Sequence, residues 1–442
     1  MNKDESLALY AQGHEAWNAW AKEMLARRSQ MEGAGQWSED NAAAKAWIAA
    51  AKAEFSKHNF TSNVNFTGFV FPGAAQFGKA VFSGDARFDE ATFSGEALFD
   101  NATFSDDARF NRAMFSCAVG FHKATFSGIA WFSKAKFSDV AWFGNATFFS
   151  NALFEKATFS GVAVLSQAVF ESYTTFGGAT FEKDAMFIAM QGKSFFTLQD
   201  ATFFQVPDFE QAHFAEAPRL DISEFRPGKP PGDTGDVSAR WRALKRLAVQ
   251  AHDHEREQIF FAEEIKALRG ARDRPWPSLD LFIAGKPVWP GGGRYWAGLF
   301  YQVFSDFGRS MARPLMGWAG AVLGFAFYYL SRHFADHVPA YPTGMLDWTW
   351  GAHFKLTCVA GQGEPLASAI YLAVHKGSIF AGLGGSEKLT QVYACLYGEY
   401  GGDRHLPIIP DAVVYAGLGQ TVFSAVMIFL FLLAVRNHFR IK

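Results

Sequence analysis

Cysteine is scarce in this chain, with only Cys117, Cys358 and Cys395 among 442 residues. So few, so scattered, exclude a disulfide framework and a thiolate metal site. Cys358 and Cys395 fall in one stretch, yet no bridge is expected between them, and the β-rich first half of the chain is expected in a reducing cytosol. Net charge is also slight, at −2, so no whole-chain field points to nucleic acid. The opening residues, MNKDESLALYAQ, are polar, and no secretory leader is expected. A phosphate-binding glycine loop, a nucleophile elbow and a zinc-binding HExxH helix are all missing. The chain therefore reads as no enzyme, with no catalytic residues, no metal and no cofactor. His252-Asp253-His254-Glu255 is the nearest approach to a ligand set. Ligands two residues apart do not share a helix face, and no third is in sight, so a solvated turn is expected.

Phenylalanine is what the chain has in excess, 48 residues, most of them in the first half. From Phe66 to Phe159 they fall in steps alternating between five and six, a true period of eleven. The beat passes through Leu165, Phe170, Phe176, Phe181 and Phe187, blurs around Gly192, and resumes from Phe203 to Phe225. An Ala stands two residues before most of these positions, as at Ala75, Ala80, Ala86 and Ala91. An α-helix cannot use this pattern. Steps of five and six turn it by roughly 140° and 240°, which splits Phe between two faces. On an extended chain, residues two apart point the same way, so Ala and Phe go inward together. Phe-Ser-Gly-Asp at 82–85 and Phe-Ser-Gly-Glu at 93–96 supply turn chemistry in the six-residue steps, and Gly there is expected to serve the corner dihedrals.

Ala-x-Phe-Ser-Gly resembles the pentapeptide repeat, in which a small residue and a central Leu or Phe face the axis of a four-sided β-helix. The resemblance implies a right-handed coil of about 22 residues in a domain at 59–226, with about seven coils over Phe66–Phe225 and a rod of roughly 34 Å. Phe82, Phe88, Phe93, Phe99, Phe104 and Phe110 would form its stacked core. Residues 1–58 read as a helical N-terminal cap, with Trp17, Trp20 and Trp47 on helical patterns. Gly13-His14-Glu15-Ala16-Trp17-Asn18 resembles the helix preceding many bacterial arrays of this kind. Residues 236–270 read as a connecting helical hairpin, with Arg240, Arg242, Lys245 and Arg246 on a solvated face or near anionic headgroups. Soluble relatives of the family mimic DNA and bind topoisomerases. The repeat here is only mildly acidic, and no nucleic-acid partner is expected.

Residues 295–442 read as a membrane module with spans at about 315–334 and 412–435. An interfacial helix is expected over Gly298–Met311. Basic residues before the first span (Arg309, Arg313) and after the second (Arg436, Arg440, Lys442) place both termini and the β-helix in the cytoplasm, at a bacterial inner membrane. The segment 366–385 between the spans reads as re-entrant: a short apolar helix, then a glycine-rich strip. The order span, re-entrant helix, span resembles the two-helix pore module of tetrameric cation channels. It implies a pore lined by His375, Lys376, Ala381, Gly382, Leu383, Gly384 and Gly385. The Thr, Tyr and terminal acid of that family's filter are missing, and His375 and Lys376 would favour anions. The expected fold is thus mixed: a four-sided β-helix with helical caps, plus an α-helical membrane domain. The expected function is an oligomeric pore, a tetramer in membrane lipid. The alternative is a membrane-tethered scaffold that binds a protein partner on the β-helix faces.

Overall fold

The structure is a computed structural model and describes residues 1–38, 41–220, 224–225, 237–271, 292–337, 358, 364–378, 386–399 and 406–439. It divides into two compact units, Met1–Leu268 and Arg269–Lys442.

The first unit is a four-sided parallel β-solenoid of about seven turns. Every strand is two residues long and pairs with the strand 22 residues on, as in Phe82↔Phe104↔Phe126. Faces I and III have seven strands each, starting at Ala53–Glu54 and Val64–Asn65. Faces II and IV have eight each, starting at Asn59–Phe60 and Val70–Phe71. One residue of each strand points in and one points out, so Ala and Phe fill the axis and polar residues the surface. Phe82, Phe88, Phe93, Phe99, Phe104 and Phe110 are all fully buried. Each ring lies parallel to the ring one turn away: Phe82 and Phe104 have centroids 4.8 Å apart and planes at 1°. Rings from adjacent faces meet edge-on, as Phe88 does Phe99 at 5.4 Å and 84°. Both arrangements suit the aromatic quadrupole.

The two corner types are made differently, and the glycines serve another purpose than the one expected. The five-residue steps hold a left-handed residue in every turn, such as Lys79, Glu90, Asn101 and Arg112 with φ of 55–58°. Its N–H bonds the next turn (Lys79 N to Asp100 O, 2.9 Å) while Ala80 N closes the corner on Phe77 O at 3.0 Å. The six-residue steps contain no such residue at Gly84, Gly95, Gly128 or Gly161. Glycine is needed there for close approach: a Cβ at Gly128 would stand 2.4 Å from the Asp106 carbonyl carbon, and one at Gly161 2.2 Å from that of Asp139.

The beat does not break at Gly192. Gly192 occupies a Phe position on face II, and the Phe214 ring from the next turn fills its space, 2.8 Å from where a Cβ would be. Phe196 in turn takes the small-residue position on face III that Ala152 and Thr174 hold in earlier turns. Small and large have exchanged places, so total core volume is kept.

Both ends of the solenoid are covered. Helices α1 (Lys3–Ala11), α2 (His14–Gly33) and α3 (Ala42–Ala51) precede the first turn. Their side chains satisfy the backbone groups that would otherwise invite strand addition. Glu54 N donates to Ser6 Oγ (3.0 Å), Asn65 N to Tyr10 Oη (3.1 Å) and Val70 N to Asn18 Oδ1 (2.9 Å). Trp17 Nε1 donates to Val70 O at 2.9 Å with the indole fully buried. At the other end, α4 (Val237–Gln250) and α5 (His254–Ala271) form a hairpin. Trp241, Leu244, Leu247 and Phe260 join the core of the repeat itself, and Gln250 Nε2 donates to Phe214 O at 2.9 Å.

That hairpin is therefore a cap, and one of its basic residues, Arg240, leaves the solvated face, while Arg242 and Arg246 stay exposed. Arg240 is buried, with Nη1 2.7 Å from Asp184 Oδ1 and 2.9 Å from Val206 O, and Nε 3.8 Å from Asp208. Arg242 and Lys245 both bind the buried carboxylate of Glu264 on α5, at 2.8 and 2.6 Å. Arg240 ties the hairpin to the last turns, and Glu264 ties its two helices together.

The second unit is helical: α6 (Gly292–Ser305), α7 (Ala312–His337), α8 (Pro365–Gly377), α9 (Ser386–Tyr397) and α10 (Asp411–Phe439). Among the described residues, only Asp411–His438 is long and apolar enough to cross a membrane, with a mean hydropathy of 2.3. The first span expected from sequence, at about 315–334, lies in α7, a 26-residue helix. Its Trp318, Tyr328, Tyr329 and three glycines dilute the apolar content below a membrane-spanning average. Cys358 and Cys395 form a disulfide, against expectation. Sequence could not show that the chain returns on itself between 358 and 395 and brings the two Cα atoms to 4.4 Å.

Candidate functional site

A solenoid offers a partner its outward-pointing ladders, one on each face. Face II shows Thr103, Thr125 and Thr147, and face IV shows Thr158, Thr180 and Thr202. These are short, hydroxylated and β-branched, which suits a pleated surface in water. Face III carries Arg87, Arg109, Trp131 and Leu153, with the Arg109 guanidinium 5.7 Å from the Trp131 ring centroid.

Face I is different. Its outward ladder runs Leu98, Gly120, Trp142, Val164, Met186, with Val140, Val162 and Ile188 beside it. Trp142 is 48% exposed. Gly120 is its ladder neighbour, and the Asp100 carboxylate packs where a Cβ would be, at 2.8 Å, while accepting from His122 N at 2.9 Å. The indole thus stands over a step with no side chain of its own. Trp142, Val164 and Met186 make the longest run of outward apolar side chains on consecutive turns among the described strands, against two, Trp131 and Leu153, on face III.

The register, the 22-residue turn and the inward Ala/Phe pairs find their match in a known repeat. The family of pentapeptide repeats (9 copies) matches residues 66–114, 110–156 and 149–191. This part of the chain is a pentapeptide-repeat array. No curated protein and no solved structure shows significant similarity to the chain. Arrays of pentapeptide repeats are generally structural or interaction scaffolds, so the outward ladders are where a function of this one would reside.

The second unit places two of the residues expected to line a pore. His375 and Lys376 lie in the last turn of α8. Ala381, Gly382, Leu383, Gly384 and Gly385 lie outside the described residues. α7 and α10 are antiparallel: Tyr328 Oη reaches Ala412 O (3.5 Å) at one end, and Asn437 Nδ2 reaches Gly308 O (3.4 Å) at the other. α8 packs between them. Its tip, Gly377, lies against Val322, Gln420 and Ser424, which are far from either end of α7 or α10. α9 then returns: His333 Nδ1 bonds Leu396 O (2.8 Å), Tyr397 Oη bonds Tyr329 O (3.3 Å), and Cys395 Sγ lies 3.3 Å from Ser368 Oγ. α8 and α9 are thus two antiparallel half-length helices, and the return helix was not foreseen from sequence.

Side chains cap the end of α8. Gln420 Nε2 donates to Ala373 O (2.7 Å), Thr421 Oγ1 to Lys376 O (3.0 Å), Trp318 Nε1 to Gly377 O (2.7 Å) and Ser378 Oγ to His375 O (3.2 Å). Three of the four bonds serve carbonyls of the last turn, at His375, Lys376 and Gly377, which the helix itself leaves without a donor.

The opposite end of the unit is basic. Arg309 binds Asp306 through both carboxylate oxygens (3.1 and 3.0 Å), and Arg313 lies 3.9 Å from the same group. Burial raises the Tyr301 pKa, against the pull of nearby Arg436.

Proposed function

We propose that this protein is a membrane-tethered pentapeptide-repeat scaffold. The observation that carries the scaffold reading is the apolar ladder on face I, where Trp142, Val164 and Met186 follow one another outward on consecutive turns. An exposed aromatic above the Gly120 step suits a partner that brings its own apolar side chains to a flat surface. Tethering draws on the second unit. Leu323 and Phe327 on α7, Leu366 and Val374 on α8, and Leu418, Val422 and Phe429 on α10 are all large, apolar and exposed. Lipid is the solvent in which such a surface is stable. α7 and α10 are both taken as spanning, with α8 and α9 as a re-entrant hairpin.

The ends differ in the way a membrane protein's two sides differ. Arg309, Arg313 and Arg436 share one end of the bundle, which fits the cytoplasmic side. The Cys358–Cys395 disulfide belongs with the entry of the α8–α9 hairpin, at the other end, which fits an oxidising compartment. The chain passes from the array into the basic end, so the array is read as cytoplasmic.

The test is a photo-crosslinking amino acid placed in full-length protein in its membrane, at Trp142 or at Thr158 on face IV. A discrete adduct from position 142, absent from 158 and lost in a Val164→Glu background, is the expected result. Equal labelling from both positions would remove face I as the binding surface.

One observation favours a second reading, an oligomeric pore: α8 stops partway through the bundle, as pore helices must. Two long helices per chain cannot enclose a pore, so this reading requires several copies. Ion flux through purified protein in liposomes would support it. A monomer in mild detergent would sink it.

A further inference from the structure

We propose that a bay at the corner between faces III and IV binds a neutral pyranose sugar. Successive turns of this corner carry the pairs Ser133-Lys134, Glu155-Lys156, Gly177-Gly178 and Gln199-Asp200, the second residue of each left-handed. At Gly177-Gly178 two side chains are therefore missing, and the pairs on either side stand two rungs apart, roughly 9–10 Å. Lys156 leans over the gap, its Cγ 3.3 Å from where a Cβ at Gly178 would be. The floor drops at the same level, because the outward ladder of face III steps from Trp131 and Leu153 to Thr175 and Thr197. The result is a bay of about 410 Å³ that these residues line together with Tyr173. That volume lies at the small end of ligand sites.

The floor holds unspent donors. Thr175 and Thr197 are 2% and 5% exposed. Thr175 Oγ1 accepts from Gly177 N at 3.0 Å, and Thr197 Oγ1 from Gln199 N at 3.1 Å. Among the described residues neither hydroxyl proton has an acceptor, so two nearly buried O–H groups remain to be met from the bay. One wall is aromatic: Tyr173 is partly exposed and stacks on Phe195, with planes at 2° and centroids 5.7 Å apart. Packing on Phe195 holds that ring in place.

The charges at the rim balance. Lys134 and Lys156 share the bay with Glu155 and Asp200, so neither an anion nor a cation is favoured. Among the described residues no ion pair joins Lys134, Glu155 or Lys156 to a partner, which leaves ammonium donors and a carboxylate acceptor for a ligand. A sugar hydroxyl both donates and accepts, so a ring carrying several can answer threonine, lysine and glutamate together. The C–H face of the same ring is apolar and suits the fixed face of Tyr173. An inorganic anion would use the lysines alone.

The experiment is saturation-transfer difference NMR on the full-length protein in lipid nanodiscs, free of sugar-headed detergent. The probes are the methyl pyranosides of glucose, galactose, mannose and N-acetylglucosamine. At least one is expected to be saturated through its ring C–H protons, with a Kd of about 1 mM for a single ring in an open bay. Tyr173→Ala should weaken that binding about tenfold. Gly178→Lys continues the ladder of Lys134 and Lys156, which already bear a left-handed lysine, so the variant should fold, fill the gap and bind no probe. Trp142→Ala on face I should bind like wild type. Saturation of no probe, or wild-type binding by Gly178→Lys or by Tyr173→Ala, overturns the inference, as does loss of binding in Trp142→Ala.

Discussion

At the scale of the residue, the array separates two roles that glycine usually combines. Left-handed corners are held by Lys, Asn, Glu and Arg at φ near 56°, a conformation that costs an L-residue about 1–2 kcal/mol relative to glycine. Glycine itself stands where successive turns press together. Lys123→Gly is therefore expected to leave stability unchanged or raise it by up to about 1 kcal/mol. Gly161→Ala is expected to lower it by about 1–3 kcal/mol through overpacking. Urea unfolding of both variants checks the contrast, and equal effects would contradict it. Phe104→Ala, which empties a position stacked on both sides, should cost about 3–5 kcal/mol by the same measurement. Glu54 adds a pH dependence. Burial pushes its pKa up, but hydrogen bonds from Lys52 and Ser56 bring it below the usual value, so its contribution is present at neutral pH and lost as pH falls through the lowered pKa. Glu54→Gln should destabilise at pH 7 and be indistinguishable from wild type once both are measured well below pH 4.5. The inward Ala/Phe periodicity of the array was legible in sequence because one residue spacing encodes it. The reason for the glycines was not, because their contacts lie 22 residues away.

At the scale of the element, the caps decide whether a stack of two-residue strands has finished ends. α1 and α2 answer the first turn with one side chain per open backbone group. The Trp17 and Asn18 of the sequence motif proved to be two of the contacts, while Ser6 and Tyr10 carried no signal of their own. The last turns are closed by α4 and α5 through Arg240. In sequence Arg240 is one of several basic residues on a helix, and only the packing of α4 onto Asp184 and Asp208 sets it apart. Arg240→Ala would strand two carboxylates in a dry contact, at a cost of about 3–5 kcal/mol. Limited proteolysis should then cut within 237–271 before the array is touched. Replacement of Arg240 and Asp184 together by Met and Leu should restore much of the protection. If Arg240→Ala is cut no faster than wild type, the ion pair is not what holds the cap.

At the scale of the whole molecule, an array with an apolar ladder on face I adjoins in sequence a helical unit that exposes large apolar side chains on α7, α8 and α10. The long helices were visible from their apolar runs, although α7 is interrupted by aromatic and glycine residues. The disulfide and the return helix α9 were not, since both depend on a chain reversal between 358 and 395 that no local pattern encodes. Maleimide–polyethylene glycol labelling in denaturant should add one group to the untreated chain, at Cys117, and three after reduction. The most direct measurement is alkaline carbonate extraction of membranes from cells making the full chain, beside a variant with Leu418, Val422 and Phe429 changed to Glu. The account predicts that wild type stays wholly in the pellet and that the variant is lost from it. Release of the wild-type chain into the supernatant would contradict the tether, and with it the reading of α7 to α10 as a membrane unit.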